Sequence, residues 1–209
     1  MTMKNRLFII PVIFLLTGCF GSKAPSVAVK HYMLEYSPAR VESRFAADDV
    51  IKVERFTGAP EYLSRDMVYR PLPFVREAYR YHRWNAAPVD MIQGLLLRDI
   101  RQTGFFKAVL SYEDAGAARY IVEGQLMEFL EIDEKDLSVA SLAIGIMLVD
   151  TAKENALEKI LFQKIYRLTE PLGSSRRPGA LAQGMSAVMA RFSRELIGDL
   201  DSIIAAQRK

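Results

Sequence analysis

The sequence predicts a single α/β domain, in which a mixed, largely antiparallel β-sheet packs against a central helix and a long C-terminal helix. Two long β-rich segments, residues 119–132 and 137–150, follow one another across a short polar turn. An amphipathic helix pattern begins at Pro88. A second helix pattern, about 25 residues long, ends the chain with apolar residues at steps of three and four.

The predicted strands are short runs of β-branched and aromatic residues bounded by turn residues. In chain order the further strands are residues 31–36, 49–56, 67–70, 76–83, 105–112 and 158–168. The segment 137–150 is apolar on both faces, so we expect it in the middle of the sheet. Residues 171–178 contain two prolines and a Gly-Ser-Ser run and are predicted to form a loop.

Both predicted helices have a clear apolar face. In the first, Ile92, Leu96 and Ile100 repeat with the helical period, and Gly104 suits the position just past the end. The polar face of the last helix mixes acidic and basic residues. A helix that lies on a membrane surface is usually enriched in Lys and Arg. We therefore expect the last helix to cover the sheet.

The N-terminus has the features of a secretory signal. Lys4 and Arg6 precede an apolar run, Leu7–Leu16, which is half the length of about 20 residues that a transmembrane helix needs. The run leads into Leu16-Thr17-Gly18-Cys19, which resembles a bacterial lipobox, and Cys19 is the only cysteine in the chain. An ordinary signal peptide with an accidental cysteine is the alternative.

The lipobox resemblance implies that Cys19 is acylated and becomes the first residue of the mature chain. Two or more acyl chains hold a protein stably on a membrane. Phe20 stands where an Asp commonly signals retention at the inner membrane, so we expect the periplasmic face of the outer membrane. The predicted organisation is a signal peptide (1–18), a lipidated tether (19–29) that reaches roughly 35 Å, and one domain (30–209).

No catalytic or metal-binding pattern stands out. The two histidines, His31 and His82, fall in different predicted strands, and no nucleophile elbow, phosphate loop or dinucleotide fingerprint is present. The acidic run 131–136 lacks the ligand spacing and central glycine of a calcium loop. We therefore expect it to form a solvated turn between two strands. We expect no cofactor, no metal and no enzymatic activity.

Residues 61–88 combine arginines with aromatic residues. Strand alternation sends Tyr79 and Tyr81 to the core and Arg76 and Arg80 outward. Export makes nucleic acid an improbable ligand. The arginines form either a solvated face, neutralised by nearby acids, or a surface for an acidic partner or lipid head groups; the residues concerned are Arg65, Arg70, Arg76 and Arg80.

Nearly the whole mature chain, this segment included, resembles the ABC-type transport auxiliary lipoproteins, of which the paraquat-inducible intermembrane transport lipoprotein is the familiar type. Their pattern is a Tyr-x-Leu strand, a Tyr-Leu-x-Arg segment and an aromatic strand that ends in Trp before a helix. The residues that match it here, in order, are Tyr32-Met33-Leu34, Tyr62-Leu63, Arg65, Val68, Arg70 and Trp84. At this junction we expect Trp84 to pack the helix onto the sheet.

The resemblance implies a non-enzymatic component of a lipid-transport system in the outer membrane. Its expected partners are an ABC transporter and a protein with MCE (mammalian cell entry) domains that bridges the periplasm. The protein would dock this conduit at the membrane, and self-association is left open. Two alternatives remain: a lipid carrier with its own apolar cavity, and a lipid-anchored envelope enzyme.

Overall fold

The computed structural model describes residues 27–38, 47–134, 137–173 and 177–207. The predicted signal peptide and Cys19 therefore lie outside the described residues. The described part of the chain forms one nine-stranded sheet with β1 (Lys30–Tyr32), β2 (Ala47–Val53), β3 (Thr57–Gly58), β4 (Asp66–Arg70), β5 (Glu77–Trp84), β6 (Phe106–Ser111), β7 (Tyr120–Glu134), β8 (Leu137–Asp150) and β9 (Ile160–Gly173). Its helices are α1 (Pro88–Thr103), the single turn α2 (Ala156–Lys159) and α3 (Pro178–Ala206).

Strand β7 organises the sheet. It pairs with β8 antiparallel from Tyr120 to Glu134, and β8 pairs with β9 antiparallel on its other side. Along its second edge, β7 makes short parallel pairs with β2, β3 and β4. The two long strand pairs are thus antiparallel, whereas the shorter pairs include both parallel and antiparallel ones. The predicted fold class is confirmed, and the apolar strand 137–150 lies between two others.

Helix α1 begins and ends where local signals place it. Pro88 is the first residue of α1, and Gly104 caps its end in the left-handed conformation, with φ of 66°. Ile92, Leu96 and Ile100 of α1 are buried in the core. Helix α3 lies on β8 and β9, and its Phe192 ring meets Tyr166 of β9 edge to face, 5.2 Å between centroids.

Several boundaries differ from the sequence prediction. The first strand ends at Tyr32, although Leu34 beyond it is still buried. Strand β9 continues into the segment predicted as a loop, because Pro171 and Gly173 still pair with β8. A proline fits here because β9 is an edge strand and loses no ladder bond on its free side.

The alternation predicted for residues 76–83 is wrong at Tyr81, whereas Arg76 and Arg80 are exposed as expected. Tyr79 is half-buried, but Tyr81 is exposed. The cause is an irregular register: Asp66 pairs with Arg83, whereas Val68 pairs with Ala78, so β5 contains extra residues relative to β4. The bulge resets which face each side chain takes.

Candidate interaction surface

The hairpin of β4 and β5 carries an apolar tip. Pro71 and Pro73 end β4, and the turn that follows presents Leu72, Phe74 and Val75 to solvent. Leu72 is 65% exposed, and Phe74 is fully exposed. Phe74 has φ of 66°, and it is the only described residue other than glycine with a positive φ. A bulky residue in this region is disfavoured, so the turn holds a large apolar side chain outward at a cost to the fold.

Arginines follow the hairpin from its tip to its base. Arg70 and Arg76 flank the apolar turn, Arg80 lies further along β5, and the backbone of Arg65 receives a hydrogen bond from the Trp84 amide at the base. We call these four residues the arginine strip. Arg65, Arg76 and Arg80 are exposed and Arg70 is half-buried.

The nearby acids that could neutralise the arginine strip are Glu54, Glu61 and Glu77, and two of them are engaged with other residues. Glu54 pairs with Lys52 at 3.2 Å, and Glu77 accepts a hydrogen bond from Tyr69. Within the described parts of the chain, the arginine strip takes part in no ion pair, whereas the neighbouring Arg83 pairs with Asp66 at 3.0 Å. Among the described residues, no carboxylate is paired with the positive charge of the strip, although the Arg80 guanidinium lies over the Tyr81 ring, 5.4 Å from its centroid.

Tyr62 lies beneath this surface. The pKa of Tyr62 is raised to about 12, chiefly by burial and in part by the charge of Glu61. A backbone hydrogen bond with Phe129 and the charge of Arg76 act in the opposite direction. Glu61 and Arg76 thus act on the same buried phenol, although they do not form an ion pair with each other.

Polar and aromatic contacts attach the hairpin to the sheet. Tyr79 donates a hydrogen bond of 2.6 Å to Glu131, whose side chain is fully buried in β7. Tyr32 of β1 and His82 of β5 are joined by a 2.9 Å hydrogen bond between the phenol oxygen and Nδ1. The base of the hairpin is therefore held rigidly while its tip projects.

Trp84 occupies the junction between β5 and α1. Its side chain is fully buried, and its ring meets Phe129 edge to face at 5.3 Å. The indole Nε1 finds no hydrogen-bond acceptor among the described residues. This environment gives Trp84 a packing role and no access to a partner.

The histidines do not assemble a catalytic or metal site. His31 is exposed, and His82 is engaged with Tyr32. Across residues 27–38, 47–134, 137–173 and 177–207, no three His, Cys, Asp or Glu side chains are grouped as metal ligands. Of the acidic run, Glu131 is buried under Tyr79 and Asp133 accepts a hydrogen bond from Ser138.

A buried carboxylate, which sequence reasoning did not single out, joins three distant segments. Asp99 of α1 is almost fully buried and accepts hydrogen bonds from Tyr36 at 2.5 Å and from Ser193 of α3 at 2.6 Å. Arg98 pairs with the same carboxylate at 2.7 Å. The available signal was an acid on the apolar face of a predicted helix. Every oxygen is engaged with structural partners, so the cluster holds the fold together.

An open groove of about 660 Å³ runs over β7, β8 and β9. Its walls combine charged and amide side chains with Met127, Met147 and Ile165. Acyl chains are held in enclosed, mainly apolar cavities. The groove is open to solvent and therefore is not such an enclosed cavity. In addition, no helix among the described residues has the length and apolar character to cross a bilayer.

Comparison with known proteins identifies the family and the fold. The sequence pattern of the ABC-type transport auxiliary lipoprotein component matches residues 32–197. No curated protein matches the chain. A crystal structure of a Xanthomonas campestris protein of the DUF330 family superposes with a TM-score of 0.75 at 16% identity, covering 86% of this chain and 98% of that one.

Two further solved structures share the fold. One, an uncharacterised protein, has a TM-score of 0.64 at 9% identity over 83% of this chain and 99% of its own. The other, a hypothetical protein from Chlamydia trachomatis, has a TM-score of 0.53 at 11% identity over 77% of this chain and 99% of its own. At such identities these likenesses describe the architecture alone.

Proposed function

This chain belongs to the ABC-type transport auxiliary lipoprotein family, and we propose that it is a non-enzymatic component that docks a periplasmic MCE conduit at the outer membrane. The family match over residues 32–197 is the observation that carries the proposal. In this proposal the signal peptide 1–18 is removed and acyl chains on Cys19 hold the protein on the membrane.

The surface chemistry supports a binding role. The arginine strip is unpaired among the described residues, and arginines in interfaces often contribute much of the binding energy. We assign partner docking to Arg65 and Arg80, which lie away from the apolar tip. They would face an acidic surface on the MCE protein.

The alternatives receive less support from the residues described. A lipid carrier needs an enclosed apolar chamber, and the groove over β7, β8 and β9 is open, with charged and amide side chains among its walls. An enzyme needs a nucleophile beside a base. Among the described residues, His31 is exposed on β1, His82 of β5 is hydrogen-bonded to Tyr32, and neither histidine has a serine, threonine or cysteine nucleophile as a hydrogen-bond partner. Docking remains the function that the molecule supports best.

Membrane anchorage is tested by intact-mass analysis of protein extracted from membranes. We expect a chain that begins at Cys19 and carries the mass of acyl chains. The Cys19→Ser variant should lose that mass and leave the outer-membrane fraction, while its thermal unfolding stays unchanged because the cysteine precedes the domain. A mature chain from Cys19 without acyl mass would contradict the anchor.

Partner docking is tested by capturing the tagged protein from detergent-solubilised envelopes and identifying what comes with it. We expect the MCE protein and the ABC transporter subunits to be enriched. Arg65→Glu with Arg80→Glu should reduce capture in a salt-sensitive manner. Arg194→Glu, an exposed arginine on α3, is the matched control and should not. If the membrane-anchored wild type captures no MCE protein, the proposed partner is wrong.

A further inference from the structure

We propose that the tip of the β4–β5 hairpin is a second membrane contact, in which Leu72 and Phe74 enter an anionic bilayer and Arg70 and Arg76 bind its phosphate groups. The inference goes beyond docking of the conduit and rests only on the proposed anchorage at Cys19. Its physical basis is the placement of three features at one end of the molecule.

The first feature is the direction in which the N-terminal segment leaves the domain. Strand β1 runs parallel to β5, with Lys30 opposite His82. The chain upstream of Lys30 therefore heads toward the start of β5, which is the tip. Residues 20–29 reach roughly 35 Å, and the eight residues from His82 back to Phe74 span at most about 26 Å. A bilayer that holds Cys19 is within reach of the tip.

The second feature is a concentration of exposed apolar side chains at this end. The direction of β4, parallel to β7, places the tip beside the turn between β7 and β8. Leu137, which begins β8, is 54% exposed there. Together with Leu72, Phe74 and Val75 it gives this end an apolar edge that the fold does not bury. The left-handed Phe74 shows that the turn is built to project a large side chain.

The third feature is charge. Arg70 and Arg76 flank the apolar turn, and neither forms an ion pair with a described residue. Arg177, which caps the N-terminal end of α3, is exposed at the same end, because β9 runs parallel to β4 and α3 begins just after it. Apolar side chains ringed by basic ones are the pattern of an interfacial membrane contact. An acidic protein would satisfy the arginines but leave the apolar tip unexplained.

The test places a reporter at the tip of the full-length protein. Phe74→Trp is mixed with vesicles of phosphatidylethanolamine and phosphatidylglycerol that contain brominated acyl chains, which quench tryptophan inside the bilayer. We expect quenching above that of the wild type, whose single Trp84 is buried. Leu157→Trp is the matched control, since Leu157 is 82% exposed at the opposite end of the sheet and should stay unquenched. Leu72→Trp repeats the test if Phe74→Trp fails to fold.

A second measurement isolates the energy of the contact. In full-length protein carrying Cys19→Ser, Leu72→Ser with Phe74→Ser should weaken vesicle binding by at least about ten-fold, and Arg70→Glu with Arg76→Glu should remove its dependence on anionic lipid. Unquenched tip tryptophans on vesicle-bound protein would overturn the proposal. A tip tryptophan that the vesicles do not quench, but whose fluorescence changes when the MCE protein is added, would instead assign the tip to that partner. The vesicles contain no partner, so failed MCE capture leaves this result unaffected.

Discussion

Trp84 shows how one side chain supports a whole junction. It packs against the Phe129 ring, at the end of β5 just before α1, with no exposed surface. We predict that Trp84→Ala lowers the free energy of unfolding by about 3–5 kcal/mol, the usual cost of truncating a buried aromatic residue. Denaturant unfolding is the measurement. A variant that unfolds like the wild type but fails to bind its partner would place Trp84 in an interface instead.

Loss of Asp99 should affect three segments of the chain. Its carboxylate accepts hydrogen bonds from Tyr36 and Ser193 and pairs with Arg98. We predict that Asp99→Ala lowers the free energy of unfolding by about 3 kcal/mol, because three polar partners lose a charged acceptor in the core. Ser193→Ala removes one neutral donor and should cost about 1 kcal/mol. Equal effects of the two changes would contradict a charge-centred cluster.

The tip of the β4–β5 hairpin projects from the sheet, and the left-handed conformation of Phe74 there lowers the stability of the fold. We predict that Phe74→Asn raises the free energy of unfolding by about 0.5–1 kcal/mol, because Asn tolerates the left-handed conformation better than Phe does. The same change should weaken vesicle binding, as proposed above. Denaturant unfolding of the variant beside Leu157→Asn, whose φ is not left-handed, checks the stability effect. A less stable Phe74→Asn would mean that Phe74 packs on the fold.

Residues next to the helix and strand ends predicted the secondary-structure elements well, but they did not predict the register in which the strands pair. Pro88 and Gly104 bound α1 as expected because capping depends on residues next to the helix end. The bulge in β5 was missed because it arises from the pairing of Asp66 with Arg83, and register is decided between strands. Its consequence was an exposed Tyr81 in place of a buried one. The conformation of Phe74 likewise depends on its turn, which composition does not specify.

At the scale of the whole molecule, buried phenols should set the alkaline limit of stability. Burial and hydrogen bonds to Asp99 and Asp199 raise the pKa of Tyr36 and Tyr166, and burial raises that of Tyr62 to about 12. The unfolded chain then loses these protons first, near 10.0. We predict full stability below pH 10 and a decline as the pH rises through 12.

Absorbance of tyrosinate at alkaline pH, recorded beside the unfolding transition, checks this expectation. Tyr62→Phe should reduce the dependence of stability on pH in this range, since it removes one of the three protons. The exposed Tyr81→Phe is the control and should leave the dependence as it is. A stability that stays constant through pH 12 would contradict buried neutral phenols.

The family and the fold followed from the sequence, but the arrangement of the candidate surface did not. The residues of the arginine strip could be named from the sequence. That they form no ion pair with a described residue depends on the contacts of Glu54 with Lys52 and of Glu77 with Tyr69, which the sequence does not specify. The meeting of the tip, Leu137 and the N-terminal segment at one end depends on strand direction across the sheet. Asp99 was visible only as an acid on an apolar helix face, since its partners Tyr36 and Ser193 are remote in sequence.

Vesicle co-flotation tests whether the protein, as proposed, holds an MCE conduit at a membrane. Purified acylated protein is incorporated into vesicles, soluble MCE protein is added, and the vesicles are floated through a density gradient. We predict that the MCE protein floats with vesicles carrying the wild type or Arg194→Glu, and that Arg65→Glu with Arg80→Glu leaves it at the bottom. MCE protein that stays at the bottom with the wild type would contradict the claim.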